Sequence, residues 1–433
     1  MKRLLVVSPH FPPINAPDMH RVRMSLPFYE ECGWQPHVLT IEPAYDDGAH
    51  DPALLRSLPD GLAVTRVRAL PARWTRKIGV GNLALRALPY LHAAGKRILG
   101  ADSHDLVFFS TSMFPAMTLG RRWRQRFGVP YVVDMQDPWL TTYYEGNPGV
   151  RRPPKYRLAH SLDAVLEPWT MRRVDGLIAV SEAYIATLCR RYPWIDSECC
   201  VTLPFGASAR DFEVLPSVGV ENHLFRHDDG FVHGVYIGRG GDDMARALRI
   251  LFTALNAGLS RAPDLYNRIR LHFVGTDYAP SERARKTVEP VARQFGVRDY
   301  VSEQTARLPY FETLRLLQDA DFLVVIGSDD PQYTASKIYP YVLARRPMIA
   351  VLHEESSAGP ILQTVRAGVV ATFGGDDDMN AAASLATQWT GLLARLPCAP
   401  DIDWTAFEPY TAREMTRRQC ELFDKVVSRR RAS

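Results

Sequence analysis

Val232-His233-Gly234-Val235-Tyr236-Ile237-Gly238-Arg239-Gly240-Gly241-Asp242-Asp243 is a short apolar run that breaks on a glycine-rich turn and then opens a helical pattern. The run reads as a strand and the glycines as a tight exit from it. A strand leaving through such a turn into a helix is half of a βαβ crossover, so the stretch predicts a parallel sheet. The same alternation continues downstream, with strands expected at 270–274, 322–326, 348–352 and 369–372. Helices are expected there near 243–258, 281–295, 310–318, 336–345, 357–366 and 379–395. Upstream, an earlier series predicts strands at 3–8, 37–41, 63–68, 106–110, 131–134, 176–180 and 201–203. Its helices are expected near 19–32, 82–99, 115–127, 156–174 and 182–191. The polar segment 208–230 separates the two series and is expected to be the linker.

A chain of 433 residues exceeds one ordinary core and suits two domains. The expected division is 1–210, 211–400 and a final amphipathic stretch, 401–433. Both halves read as α/β with Rossmann-like parallel sheets. In such sheets ligands bind at the carboxyl ends of the strands, so two of them are expected to face a central cleft. Apolar residues make up 46% and charged residues 23%, an ordinary globular balance that argues against disorder. No apolar run reaches the roughly 18–20 residues of a membrane span. The opening Met1-Lys2-Arg3-Leu4-Leu5-Val6-Val7-Ser8 is too short for a secretory signal core and reads as the first strand. The six cysteines form no Cys-x-x-Cys pair, and the histidines show no metal-ligand spacing. Reduced thiols, no metal site and a cytoplasmic location are expected.

Charge is uneven. Residues 1–215 hold 26 Lys and Arg against 21 Asp and Glu, and the remainder holds 26 against 27. No acid lies between Asp60 and Asp102, whereas Arg66, Arg68, Arg73, Arg76, Lys77, Arg86, Lys96 and Arg97 do. The basic segment 66–97 suits peripheral contact with an inner membrane face or an anionic acceptor, and equally a solvated helix face. Arg151, Arg152 and Lys155 read the same way.

Four segments could carry chemistry. In the first, Gly238 and Gly240 let a ligand approach the backbone, Arg239 offers a fork for phosphate, and Asp242 is placed to cap the next helix. In the second, Gln332, Tyr333, Thr334, Ser336, Lys337 and Tyr339 follow a buried strand, and Ser336-Lys337 starts a helix as another anion-binding corner. In the third, the strand at 131–134 ends in Asp134 and Asp137, carboxylates able to bind sugar hydroxyls. In the fourth, His10, Asn15, Asp18, His20 and Arg21 follow strand one at the rim of the expected cleft. Each segment also has a plain structural reading as a tight turn, an N-cap or a loop anchor.

Taken together, these segments resemble the bacterial family 4 retaining glycosyltransferases of GT-B fold (glycosyl transferases group 1). The resemblance rests on the Pro12-Pro13 loop, Asp134-Met135-Gln136-Asp137-Pro138-Trp139, Asp175 through Glu182, Gly238-Arg239, Ala320-Asp321, Ser336-Lys337-Ile338-Tyr339 and Arg346-Pro347. Tyr410-Thr411-Ala412 and Leu422-Phe423 resemble that family's helix crossing back to the first domain. The resemblance implies an N-terminal acceptor-side domain and a C-terminal donor domain for a nucleoside diphosphate sugar. It implies Arg239, Lys337 and Asp137 as catalytic residues. Gly238, Gly240, Gly275, Glu303, Gln332, Tyr333, Thr334, Ser336 and Tyr339 would bind donor, and His10, Asn15, Asp18, His20, Arg21 and Asp134 acceptor. The expected activity is transfer of a hexose-type sugar to an acceptor hydroxyl with retention and without metal. The acceptor is a sugar, a lipid-linked glycan or a small molecule, and no nucleic-acid partner is expected. The sequence departs from the family's paired glutamates, which align here with Gln332 and Pro340. A non-catalytic nucleotide-sugar or partner-binding protein is therefore the alternative.

Overall fold

A computed structural model describes residues 1–141, 156–277, 279, 282–330, 336–375 and 377–432. The chain forms two compact units, Met1–Gly206 with Ala412–Ser433, and Ala207–Thr411. The first holds a seven-stranded sheet in the order β3-β2-β1-β4-β5-β6-β7. Its strands are β1 (Lys2–Val7), β2 (Trp34–Ile41), β3 (Ala63–Val67), β4 (Leu106–Ser110), β5 (Tyr131–Met135), β6 (Gly176–Ala179) and β7 (Cys200–Thr202). The second holds a six-stranded sheet in the order β10-β9-β8-β11-β12-β13. These strands are β8 (Val232–Ile237), β9 (Ile269–Val274), β10 (Val301–Gln304), β11 (Phe322–Ile326), β12 (Met348–His353) and β13 (Gly368–Phe373). Every pairing between these strands is parallel.

The central strands are continuous apolar runs because helices cover both faces of a parallel sheet. Leu4, Leu5, Val6 and Val7 are all fully buried. In each sheet the strand order reverses once, between β1 and β4 and between β8 and β11. Open α/β sheets bind ligands at such switch points.

Strand β10 escapes a pattern search because its residues, Val301-Ser302-Glu303-Gln304, offer one apolar side chain and lie at a sheet edge. The expected linker at 208–230 is also corrected in part. Ala209–Val218 is a helix of the second unit, packed on the helix Tyr310–Asp319. Its Leu215 is buried, and Tyr310 donates to Asp211 Oδ2 at 2.6 Å. Residues 401–411 also stay with the second unit, because Phe407 is buried and Tyr410 stacks on Tyr339.

The last helix, Ala412–Ala432, belongs to the first unit. Cys420, Leu422, Phe423, Val426 and Val427 complete the apolar layer over one face of the first sheet. Phe423 sits among Phe108, Trp34 and Tyr29, with ring centroids 5.0, 5.6 and 6.4 Å away. In the basic segment 66–97, three of the arginines are engaged with the protein while Arg68, Arg73, Lys77, Lys96 and Arg97 are exposed. Arg66 donates to the Pro12 carbonyl at 2.8 Å, Arg86 is buried against the Tyr45 carbonyl, and Arg76 pairs with Asp47. Residues 151, 152 and 155 lie outside the described residues. Among the described residues no helix is long and apolar enough to cross a membrane.

Removing the Phe423 ring leaves a cavity that three fixed aromatics cannot close. Phe423→Ala is expected to destabilise the first unit by about 3–5 kcal/mol, read as a shift of its transition in urea unfolding followed by circular dichroism.

Candidate functional site

Strand β8 ends at Ile237, and the chain turns at Gly238, whose φ is 143°. A side chain there would be strained and would also run into Lys337 Nζ. The Lys337 ammonium donates to Tyr236 Oη at 2.5 Å and lies 4.1 Å from the centre of that ring. Tyr236 Oη in turn donates to the Arg239 carbonyl at 2.7 Å. The strand end is fixed to the helix Ile338–Leu343 a second time, because Ile237 N donates to Tyr341 Oη at 2.7 Å. Gly240 N donates to the Thr276 carbonyl at 2.7 Å, joining the exits of β8 and β9.

The Arg239 guanidinium forks onto Asp243, with Nη1–Oδ1 at 2.9 Å and Nη2–Oδ2 at 2.7 Å. Ser328, just past β11, donates to Asp243 Oδ2 at 2.6 Å. The hydrogen bond from Arg239, against the cost of burial and helped by Ser328, holds the Asp243 carboxyl below its ordinary range. Burial, and then the Arg239 charge, push the Lys337 ammonium down to about 7. The switch point of the second sheet thus carries two cationic side chains around a turn that must be glycine. Such an arrangement suits an anionic group that draws Arg239 from Asp243 and favours the charged form of Lys337.

Gly238, Arg239, Gly240 and Lys337 come together as the sequence predicts, but other expected donor residues do not reach this corner. Glu303 is buried, and its carboxylate caps the helix Val288–Gln294. It accepts from Thr276 Oγ1 at 2.7 Å, from Thr287 and Val288 N at 3.0 Å, and from Glu289 N at 2.9 Å. Tyr339 is buried under Tyr410, their rings stacked 5.1 Å apart, and burial pushes its hydroxyl up to about 12. Gly275 makes the left-handed turn after β9, with φ 73°. Asp242 is exposed and caps no helix; the neighbouring Asp243 holds the arginine instead. Ser336 is exposed, and the helix after Lys337 has six residues, so Lys337 acts through its own charge rather than a helix end. Gln332, Tyr333 and Thr334 lie outside the described residues. Tyr236, Asp243 and Ser328 were not singled out from sequence. The i,i+4 spacing of Arg239 and Asp243 was the available signal.

At the switch point of the first sheet, most of the expected acceptor residues are consumed by one another. Asp18 is buried, accepting from Thr111 Oγ1 at 2.7 Å and Ser112 N at 3.0 Å. His10 Nδ1 lies 2.8 Å from Asp18 Oδ1, and His10 Nε2 lies 3.4 Å from Asp46. Burial opposes the His10 charge, but Asp18 and Asp46 outweigh it and raise the imidazole above its ordinary value. Asp18 is lowered despite burial by the same partners. Arg21 and Asp134 are fully buried, with Arg21 Nε 2.7 Å from Asp134 Oδ2 but not aimed at it, a charge contact rather than a hydrogen bond. Ser110 Oγ at 2.7 Å and Gln136 Nε2 at 2.9 Å donate to the same carboxylate oxygen. Arg21 Nη2 donates to the Leu203 carbonyl at 2.7 Å. Arg21 and Asp134 therefore hold the loops rather than face solvent. Arg23 leans on His20 Nδ1 at 3.4 Å, and the Asn15 backbone donates to Ala49. Asp137 is exposed at the end of β5, beside Trp139 and Tyr184 at a cavity of about 230 Å³. Partial desolvation by the surrounding loop, then the Asp18 charge, raise its carboxyl.

Residues 21–206 match the glycosyl transferase 4-like domain. The chain has the GT-B fold. It superposes on the alpha,alpha-trehalose-phosphate synthase (UDP-forming) from Burkholderia vietnamiensis with a TM-score of 0.60 at 15% identity, covering 100% of both chains. Anabaena Alr3699/HepE, solved in complex with UDP, gives 0.54 at 16% identity, over 98% of this chain and 100% of that one. The E. coli protein solved with UDP-2-fluoro glucose gives 0.56 at 12% identity, over 98% and 99%. No curated protein sequence matches the chain. The family 4 resemblance drawn from the sequence segments agrees with both findings, and the GT-B sheets place Gly238-Arg239 and the Pro12-Pro13 loop at their two switch points.

The His10–Asp18 pair gives this GT-B chain a signed pH dependence. The Asp18 contribution is present above an unfolded carboxyl's pKa near 3.9 and is lost as pH falls through its lowered folded value. The His10 contribution is present below about 6.5 and is lost as pH rises through its raised folded value. The stability gap between wild type and His10→Gln is thus expected to be wide at pH 5.5 and to shrink by pH 9, in thermal unfolding at both pH values.

Proposed function

We propose that the protein transfers a hexose-type glycosyl group from a nucleoside diphosphate sugar to an acceptor hydroxyl, with retention and without a metal ion. The observation that carries this reading is the corner at the end of β8. There Lys337 Nζ fills the space a side chain at Gly238 would take, with Arg239 beside it. The solved UDP and UDP-sugar complexes of GT-B relatives support a nucleotide sugar as the ligand class and make UDP the first nucleotide to test.

In this reading the donor diphosphate lies against Gly238 and Gly240, and Arg239 and Lys337 balance its charge. The bond between the anomeric carbon and the phosphate oxygen breaks, and its electron pair stays on the phosphate. Fixed cations aimed at that oxygen stabilise the charge as it develops. The acceptor oxygen adds to the face the phosphate leaves, and its proton passes to the departing phosphate oxygen. Same-face attack retains configuration and needs no side-chain base. Asp137 orients a sugar hydroxyl. Arg239 is shared with Asp243, so the incoming phosphate draws the guanidinium partly from that carboxylate.

A calorimetric panel of UDP, GDP, ADP and dTDP tests the proposal, followed by hydrolysis of the matching sugar nucleotides in EDTA. One diphosphate is expected to bind, to weaken at least about tenfold in Arg239→Ala and in Lys337→Ala, and to yield metal-free hydrolysis slowed about 10²–10³-fold in Lys337→Ala. Binding of none of the four overturns the reading.

Lys337 supplies a second test. At pH 8 the free ammonium is largely deprotonated, since its pKa is pushed to about 7. A bound diphosphate favours the charged form, so binding takes up a proton and weakens as pH rises from 7 to 9. Calorimetry in two buffers of different ionisation enthalpy at pH 8 is expected to show this uptake. Lys337→Arg, always charged, keeps the affinity and abolishes the uptake.

A further inference from the structure

The helix Tyr156–Met171 carries apolar side chains on both faces. Its inward face packs Met171 and Leu166 on the core of the first sheet and adds polar ties: Asp163 accepts from Trp139 Nε1 at 2.9 Å, and fully buried Glu167 accepts from Leu140 N at 2.8 Å, Tyr192 Oη at 2.8 Å and Arg191. Its outward face carries Leu158, Leu162, Val165 and Trp169, spaced by four, three and four residues and so aligned in one stripe. Leu158 is 67% exposed and Val165 66%. Trp194, 55% exposed, adds a second indole beside the end of the stripe, where both tryptophans line a groove of about 640 Å³. The other large apolar side chains exposed among the described residues, such as Leu55, Trp74 and Met379, lie on separate elements.

A helix ordinarily turns its apolar stripe to the core, so an outward one marks a surface that is covered in use. Its surroundings identify the cover. Arg172 and Arg173 follow the stripe, Arg121 stacks on Trp169 with its guanidinium 3.8 Å from the ring, and Arg157 precedes Leu158. The two acids within the helix both point inward, so no described carboxylate of this helix faces the stripe. Aliphatic side chains ringed by arginine and tryptophan fit the boundary between headgroups and acyl chains of an anionic bilayer. The depletion of acids and the exposed tryptophans favour lipid over a protein groove of mixed charge.

We propose that the outward face of the helix Tyr156–Met171, with Trp194, Arg172 and Arg173, docks the protein on an anionic lipid surface. The stripe enters the interface and the arginines meet phosphate headgroups. This goes beyond the transfer reaction and does not rest on it.

Full-length protein is spun with vesicles of phosphatidylcholine alone and of phosphatidylcholine with 30% phosphatidylglycerol, a composition chosen for roughly natural surface charge. Binding is expected on the anionic vesicles, much less on the neutral ones, and weaker with added salt. The double variant Leu158→Glu with Val165→Glu is expected to lose at least about tenfold in partitioning, and so is Arg172→Glu with Arg173→Glu. Met379→Glu, at an exposed apolar site of the other unit, is expected to bind as wild type, and all variants to keep the wild-type circular dichroism. No binding to anionic vesicles overturns the proposal, as does binding that both double variants retain. A dimer in light scattering that the Leu158 and Val165 substitutions dissolve, without vesicle binding, assigns the face to a second copy instead and likewise overturns it. Calorimetry of nucleotide binding is read separately, so loss of donor binding and loss of lipid docking are told apart.

Discussion

Parallel pairing is the constraint from which the functional geometry of both units follows. When every strand runs the same way, every exit loop emerges at one edge of its sheet, and the loops beside a reversal of strand order are held apart by the diverging helices. The β8 exit brings Gly238, Arg239 and Gly240, and the loop past β11 brings Ser328. The chain then returns Lys337 to the same corner from almost a hundred residues away. Tyr236 and Tyr341 complete the attachment, each spending its hydroxyl on the backbone of the turn. The turn is thus cross-linked by hydrogen bonds of its own, and the Arg239 guanidinium is held by Asp243.

The first unit treats charge differently. Asp134 and Arg21 are buried at the end of the sheet among Ser110, Gln136 and the Leu203 carbonyl, so their cost of desolvation is offset by partners on several segments. Asp18 and His10 repeat the device one loop away. These groups read from sequence as ligands because acids and bases after a strand often are. In the structure they tie the N-terminal loop, the β4 and β5 exits and the 203–204 carbonyls together. Asp137, one residue beyond Gln136, is left exposed at the rim.

The helix Tyr156–Met171 depends on the same use of buried polar groups. Glu167 satisfies a backbone amide and two side chains on neighbouring segments, and with the core packing of Met171 and Leu166 it fixes the rotation of the helix about its axis. Once that rotation is set, Leu158, Leu162, Val165 and Trp169 have nowhere to point but outward.

The sequence by itself determined the alternation of strand and helix, the two parallel sheets and the glycine turn with its arginine. Each is a local pattern: apolar runs of strand length, a period of 3.6, and a position where only glycine fits. It missed β10, whose four residues lack an apolar face, and it took the helix Ala209–Val218 for a linker because its inward residues are few. Only the tertiary structure decided which partner each charged residue takes. Arg239 forks onto Asp243 and Lys337 reaches Tyr236 at the end of β8, while Glu303 caps a helix and Arg21 and Asp134 are buried in the core. The types and spacings of these residues do not differ in kind. Their partners come from segments distant in the chain, and burial, hydrogen bonding and pKa are properties of those partners rather than of the residues themselves.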